Sequence, residues 1–339
     1  MVACLFGVAA AADTAPSWQA PLGRDHPLTG RIWDTAAGRF IDQATLFDRV
    51  VDVRFVVTGE SHNNPDHHRL QLRLLRAMFG NGRRVAVGME VFDSHEQPLL
   101  DRIAALADPD DDQLVDVLGW NGRRQRALWE QYRPLVHFAI ASGLPLRAMD
   151  MSRREAAAVI RDGIAALPPY LVERFALDRP LDTGRTATLQ RDLVRAHCGM
   201  LFSNNLEGLT LAQRARDATM AQRLVEADIG GGVLLLAGYG HARGDRGVPY
   251  LLDDVRARSE LVSVLFASVR DELIHPADYG QWFERERPPF DYVWFTPRAD
   301  DEDPCDRLRR LYGNGAARTA TPATAAGHAA DARAKPDHD

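Results

Sequence analysis

The sequence has 339 residues, a net charge of −6 and 45% hydrophobic residues, which is typical of a globular protein and excludes a chain that is disordered throughout. The acidic balance argues against a nucleic-acid-binding protein, because such proteins usually carry a basic patch or a high isoelectric point. Three cysteines without a CxxC pair exclude a disulfide-rich scaffold and the common zinc modules, and no apolar run reaches the roughly 20 residues of a transmembrane helix.

Residues 1–20 predict an export or lipoprotein-type segment. A short apolar stretch ends in three alanines at 10–12, which resemble an A-x-A cleavage site. The basic residues that usually precede such a stretch are missing, so an apolar terminus without a targeting role is the alternative. Cys4 is a candidate acylation site if more chain precedes it. We expect a protein of the cell envelope, where Cys198 and Cys305 would be free to pair.

The first β–α unit of the chain follows a lead-in with a predicted helix over 43–50. Val53–Thr58 is a short, β-branched apolar run, as expected for a buried parallel strand. Asn64 is a good helix N-cap, and Pro65 occupies the first helical position, where its missing N–H costs nothing. The pattern therefore predicts a strand, a polar turn and a helix.

Further apolar stretches predict the remaining strands: Val85–Val91, Leu144–Met149, Gly232–Ala237, Leu261–Val269 and Asp291–Phe295. Helices are predicted between them over 98–106, 124–141 and 153–167, the first and last opened by the capping boxes Ser94 with Gln97 and Ser152 with Glu155. Alternating strands and helices predict an α/β fold with a mainly parallel sheet flanked by helices. We expect one domain over 21–298, an inserted helical lobe at about 168–228 and a disordered tail over 299–339.

Polar side chains follow the predicted strands where each strand ends. Glu60 and His62 follow the first strand, while Glu90, Asp150 and His241 follow later ones. In open parallel sheets, ligands bind beyond this edge. Glu60 and Glu90 are 30 residues apart, the usual length of a βαβ unit, so we expect them on neighbouring strands.

Such a cluster of imidazoles and carboxylates suits two kinds of chemistry. His62, His241, Glu60 and Glu90 are candidate ligands of a divalent metal ion. The same groups can also perform metal-free acid–base catalysis, with a glutamate as base and a histidine as proton carrier. Each residue alone has a structural alternative, such as a helix cap or a solvated turn. The pattern G-x-x-H occurs at both 59–62 and 238–241, which favours one shared site.

Two further histidines, His67 and His68, fall in the first turn of the predicted helix after Asn64. The helix dipole disfavours a charged imidazole at this position. We expect both on a solvated surface, with a role as outer metal ligands as the alternative.

Four separated motifs of the chain resemble the signatures of the ChaN-like haem-binding uptake proteins of the TIKI/erythromycin-esterase superfamily. They lie in the expected order, and the resemblance covers roughly 27–297. The motifs are VTGESHNNPDHH at 57–68, GMEVF at 88–92, the helical AQRARDATMA at 212–221, and GYGHARGDRGVP at 238–249.

The resemblance implies an α/β core with a helical lobe and a haem-binding protein of the cell envelope that takes part in haem or iron uptake. It implies a secreted or lipid-anchored protein, an outer-membrane receptor as a possible partner, and a homodimer across which two haems stack face to face. A tyrosine is the iron ligand in this family, and Tyr239 beside His241 is the candidate here. Apolar lining for the ring is available at Phe175 and at residues 200–202.

The wider superfamily implies an alternative function. Its members include metal-dependent proteases and esterase-type hydrolases that use two G-x-x-H motifs and a glutamate, which correspond to His62, His241, Glu60 and Glu90. The alternative is therefore a metal-dependent hydrolase of a peptide, ester or amide bond, with Glu60 as general base and Glu90 as ligand or second base. A third interpretation is an interaction protein that keeps an old active site without turnover.

Overall fold

The structure, a computed structural model, describes residues 17–198, 206–253, 260–303 and 305–306. Cys4, residues 200–202 and most of the predicted tail lie outside the described residues. None of the described helices is both long and apolar enough to cross a bilayer.

Eight strands form one mixed sheet in this part of the chain. They are β1 Ile32–Asp34, β2 Arg39–Ile41, β3 Phe55–Glu60, β4 Ala86–Asp93, β5 Leu146–Asp150, β6 Val233–Gly238, β7 Leu261–Ser268 and β8 Tyr292–Thr296. Their order across the sheet is β2-β1-β8-β7-β3-β6-β4-β5. The strands from β3 to β8 pair in parallel, and β1 pairs antiparallel with both β2 and β8. The predicted fold class is confirmed.

Helices cover both faces of the sheet. They are α1 Gln43–Asp52, α2 Pro65–Gly80, α3 Gln97–Ala104, α4 Asp111–Leu118, α5 Arg123–Ala141, α6 Arg153–Asp162, α7 Pro169–Arg174, α8 Thr183–Ala196, α9 Leu206–Ala227 and α10 Val248–Asp253. Short 3₁₀ helices lie at Ser94–Glu96, Gly163–Ala166 and Pro276–Phe283.

The sheet separates two apolar cores. On one face α9 packs against the sheet, and small α9 residues such as Ala215 and Ala218 share a core with Val57 and Leu235. On the other face, α1 to α5 bury their apolar sides against residues such as Val56 and Leu234. Because α9 lies directly on the strands, its polar residues reach the carboxyl edge of the sheet. The predicted boundaries of the domain and its helical lobe stay predictions.

The local signals of the sequence explain most helix starts. Asn64 caps α2 by accepting from the N–H of Asp66, and Pro65 opens the helix. The capping box of Ser152 with Glu155 is confirmed at α6. The box predicted for Ser94 with Gln97 is wrong by one residue, because Asp93 and Glu96 form it and open a 3₁₀ helix before α3.

The prediction that Glu60 and Glu90 end neighbouring strands is wrong. Strand β6 lies between β3 and β4 and pairs in parallel with both. The chain thus leaves β3, places β4 two positions away, and returns much later to fill the gap. This return brings the turn that carries His241 between the two glutamates.

Candidate functional site

A cleft of about 340 Å³ opens at the carboxyl edge of the sheet. Its lining combines polar groups from the strand ends with side chains from α5, α6 and α9, among them His62, Glu90, Tyr132, Asp150, Met151 and Arg216. The edge that the sequence marked as polar is therefore a concave surface. The strand ends carry the acidic and imidazole groups, and side chains of the helices form the rest of the lining.

Glu60 is the centre of a buried hydrogen-bond cluster at the end of β3. Its Oε1 accepts from the Tyr132 hydroxyl at 2.7 Å and lies 2.8 Å from His62 Nδ1. Its Oε2 lies 3.2 Å from His68 Nδ1, while His68 Nε2 donates to the His62 carbonyl at 3.2 Å. The Glu60 side chain is 1% exposed and that of His62 is 34% exposed. Only the imidazole of this pair therefore faces the solvent.

The charges of this pair depend on each other. Burial opposes ionisation of Glu60, but His68 and His62 outweigh burial and lower the pKa of Glu60 to about 2. Burial also opposes charging of His62, yet the hydrogen bond and charge of Glu60 raise the pKa of this imidazole above its usual value. Since Nδ1 of His62 faces Glu60, its Nε2 is the nitrogen available to a molecule in the cleft.

A second cluster surrounds Glu90 and His241. His241 Nε2 lies 3.2 Å from Glu90 Oε1, and His241 Nδ1 lies 2.5 Å from Asp217 Oδ1. Glu90 Oε2 accepts the backbone N–H of Gly238 at 2.5 Å. Burial opposes charging of His241, but Glu90 and Asp217 outweigh it and raise its pKa to about 10. His241 is therefore an imidazolium at neutral pH.

Arg216 of α9 joins this cluster to the end of β5. Its guanidinium donates to Glu90 Oε1 at 2.8 Å and to both carboxylate oxygens of Asp150. Burial opposes its charge, but Asp150 and Glu90 raise the pKa of Arg216 above its usual value. The strand-end acids are thus neutralised by protein cations.

The structure brings the two clusters to one place. A Cβ built on Gly238 would lie 3.2 Å from His62 Nε2 and 3.5 Å from Glu90 Oε2, so both groups border this glycine. Any larger residue at 238 would press on them. The predicted quartet of Glu60, His62, Glu90 and His241 therefore meets around the turn after β6.

The quartet divides into two ion pairs. Each histidine contacts its own glutamate, and Glu90 also binds Arg216. Among the described residues, no group of three or more histidine, cysteine or acidic side chains is arranged to hold a metal ion. A metal bound by these four residues stays a prediction.

The prediction of a solvated surface for His67 and His68 is wrong. His67 is fully buried and His68 is 3% exposed. The first turn of α2 faces inward because Asn64 Nδ2 donates to the carbonyl of Pro297 at 2.8 Å and to Ser268 Oγ at 3.0 Å. These bonds tie the helix start to the ends of β7 and β8.

Tyr239 lies on the same turn as His241, but its ring points to a separate aromatic group. Its ring centroid lies 5.6 Å from that of Trp282 and 6.1 Å from that of Phe283. The side chain is half-buried, and within the described residues its hydroxyl makes no hydrogen bond. The turn from 238 to 241 thus places the histidine against Glu90 and Asp217, and the tyrosine in the aromatic group.

Several residues in and behind the cleft were missed as individual candidates. Arg216 and Asp217 lie inside the helical motif at 212–221. The motif therefore pointed to this segment, but it did not indicate a role for either side chain. Tyr132 lies in the middle of α5 and has no local signal. Its role depends on the packing of α5 against α2, which places its hydroxyl on Glu60.

Comparison with known proteins gives a family. The sequence profile described as "Haem-binding uptake, Tiki superfamily, ChaN" matches residues 46–252, more than half of the chain. The chain belongs to this ChaN family. The resemblance found in the four motifs is therefore confirmed. No curated protein sequence matches the chain.

Solved structures also resemble this ChaN-family protein. A structure described as "Cofacial heme binding to ChaN of Campylobacter jejuni" has a TM-score of 0.60 at 22% identity, and the match covers 78% of this chain and 95% of that one. A mutant erythromycin esterase EreC in its open conformation has a TM-score of 0.45 at 13% identity, with the same coverage. At 22% identity, the likeness to the Campylobacter protein shows a common fold.

Proposed function

We propose that this ChaN-family protein binds haem and acts in haem or iron uptake at the cell envelope. Membership of the haem-binding uptake family carries the proposal. By analogy with the cofacial haem binding of the Campylobacter protein, the proposal includes a homodimer as the binding form. An outer-membrane receptor and a lipid anchor are further partners that fit an envelope role.

The surroundings of Tyr239 fit an iron ligand. A tyrosine phenolate is one of the ligands that hold haem iron in proteins, and this hydroxyl has no other partner among the described residues. Trp282 beside it is partly buried and supplies an apolar face for a porphyrin ring, while the buried Phe283 packs against the Tyr239 ring. Burial and the negative charge of Asp192 raise the pKa of the Tyr239 phenol, and the positive charges of Arg195, Arg243 and Arg270 offset only part of this rise. The free side chain is therefore a neutral phenol, which would lose its proton on binding ferric iron.

The disulfide between Cys198 and Cys305 supports the envelope location. Disulfides form and persist in oxidising compartments and are rare in the cytosol of mesophilic bacteria. The pair also fits the export predicted from residues 1–20.

Spectroscopy with added ferric haem tests the haem proposal. We expect a shifted Soret band in the wild type and a weakening of affinity by at least about tenfold, or about 1.4 kcal/mol, in Tyr239→Phe because the iron ligand is lost. Tyr170→Phe is the matched control, since this tyrosine is 59% exposed and lies on α7. A wild type without a Soret shift would contradict haem binding. If only Tyr170→Phe lost affinity, the iron ligand would be Tyr170 of α7 and not Tyr239.

The strand-end cleft favours a second candidate function, hydrolysis of an ester, amide or peptide bond. His62 presents Nε2 to the cleft and is oriented by Glu60, whereas His241 is buried and paired with Glu90 and Asp217. An oriented imidazole that can act as a base is one of the parts that acyl hydrolysis needs. Because Glu60 is buried, His62 takes the role of base and Glu60 positions it.

Turnover of small esters and amides tests this second candidate. His62→Ala should lower turnover by roughly 10²- to 10⁴-fold, because a general base contributes about that much. His137→Ala is the control, since His137 is 39% exposed and also pairs with a carboxylate, Asp111 at 2.7 Å. Metal analysis before and after chelation tests the predicted metal dependence. Equal turnover in the two variants would rule out His62 as the base.

A further inference from the structure

A second cavity lies away from the strand-end cleft. It has a volume of about 630 Å³ and lies between α8, the start of α9 and the C-terminal segment, residues 297–303 and 305–306. Its walls are partly apolar, with Val194 and Leu206, and the Cys198–Cys305 disulfide borders it. Two cations, Arg191 and Arg195, extend from α8 into the same lining.

We propose that this cavity receives the edge of haem that carries the two propionate carboxylates, with Arg191 and Arg195 as their partners. The inference rests on the proposed haem binding. It adds two anchoring residues that neither the motifs nor the family profile assign. Arginine is suited to this role because its planar guanidinium binds a carboxylate through two parallel hydrogen bonds.

The cavity and the candidate iron ligand are linked by a short series of contacts. Arg195 lines the cavity, and its charge also acts on the Tyr239 phenol. Both arginines pair with Glu284, which directly follows Phe283, and the Phe283 ring contacts that of Tyr239. One flat ligand that lies against the Tyr239 aromatic group can therefore extend its carboxylates toward α8.

The two arginines are held by a partner that a ligand can replace. Arg191 Nε lies 3.0 Å from Glu284 Oε1, and an Nη of Arg195 lies 3.3 Å from the same oxygen. Their side chains are 54% and 55% exposed, and exposed ion pairs contribute little to stability. Asp192, 3.6 Å from Arg195, and Asp303 in the lining are the other acids near the cations. Glu284 thus occupies the position of a carboxylate and competes with a ligand that carries one.

This competition gives two substitutions opposite expected effects. The double variant Arg191→Gln/Arg195→Gln should weaken binding of ferric haem by roughly three- to tenfold, because two partly exposed charge-assisted contacts are lost. Glu284→Gln should tighten binding by roughly two- to threefold, because the arginines are released from their partner. Soret titration of haem and fluorescence titration of iron-free protoporphyrin measure both effects. Arg126→Gln is the control, since Arg126 is 43% exposed and pairs with Asp112 at 2.8 Å.

The dimethyl ester of protoporphyrin, which has no carboxylates, separates charge recognition from damage to the fold. It should bind the wild type and the double arginine variant equally. If the double variant loses the ester as well, or if Glu284→Gln weakens haem binding, these side chains act structurally and the inference is overturned. If haem binding depends on Tyr239 but its affinity is unchanged in the double arginine variant and in Glu284→Gln, the inference is overturned and the proposed function stands. A wild type that binds neither porphyrin overturns both.

Discussion

His67 shows at the scale of one residue how a buried imidazole stabilises the site. Its Nδ1 accepts the backbone N–H of Ser61 at 2.9 Å, and its Nε2 donates to Thr296 Oγ1 at 2.9 Å. Both ring nitrogens are therefore satisfied by a neutral imidazole of one tautomer. Burial lowers the pKa of His67 to about 3, because the charged form would lose its hydration. The residue fixes the turn that carries His62.

This low pKa predicts a loss of stability in acid. Between the unfolded value of about 6.5 and the folded value of about 3, the unfolded chain binds a proton at His67 and the folded protein does not. The stability contribution is therefore complete above pH 6.5 and falls by about 1.4 kcal/mol per pH unit as the pH decreases toward 3. His67→Gln should be less stable than the wild type by about 1–3 kcal/mol at pH 7.5 through lost hydrogen bonds. Because glutamine does not titrate, this difference should shrink at pH 5.

Urea unfolding of both proteins at the two pH values measures the effect. His95→Gln is the control, since its side chain is 71% exposed and its loss should change stability little at either pH. A difference between wild type and His67→Gln that stays constant from pH 7.5 to pH 5 would show that His67 is not the linked group.

At the scale of elements, strand ends were predictable and strand order was not. The apolar runs before Glu60 and before Gly238 predicted buried parallel strands, and β3 and β6 are such strands. The order of the strands in the sheet depends on where later segments insert. The sequence around β3 and β4 does not indicate that β6 will lie between them. The short β1 and β2 were missed because three residues are too few for a periodic signal.

The same limit applies to the helices that complete the cleft. Helix signals located α5 and α9, and the strand-end quartet followed from positions after apolar runs. The contacts of Tyr132 with Glu60, and of Arg216 with Glu90 and Asp150, bridge residues far apart in the sequence. Such contacts follow from tertiary packing. A hydrophobic pattern of period 3.6 therefore predicts the helix but does not predict which residues it contacts.

At the scale of the whole molecule, the C-terminal segment crosses the carboxyl edge of the sheet. It leaves β8 beside Leu22, which bonds to Arg298 through the backbone. Its Asp300 then accepts from the side chain of Asn63, next to His62, at 3.2 Å. Its far end is joined to the end of α8 by the Cys198–Cys305 disulfide. The segment therefore connects the turn after β3 with the cavity that Arg191 and Arg195 line.

The disulfide should supply a measurable part of the stability of this arrangement. It links residues 107 positions apart, and closing a long loop in the unfolded chain stabilises the folded state by typically about 2–4 kcal/mol. Cys198→Ser/Cys305→Ser should therefore unfold at lower urea concentration than the wild type, by a free energy of about that size. Replacing Cys4 by serine in every protein prevents exchange with the third cysteine.

Reduction gives the same prediction an independent check. A phosphine reductant should lower the stability of the wild type to that of the double serine variant and leave the variant itself unchanged, because the variant has no bond to reduce. If reductant destabilises both proteins equally, or neither, then the bond does not hold the segment in place. Because the disulfide also borders the cavity proposed for the haem propionates, reduced protein should bind haem more weakly than oxidised protein. This loss should be absent in the double serine variant, whose haem affinity should match that of the reduced wild type.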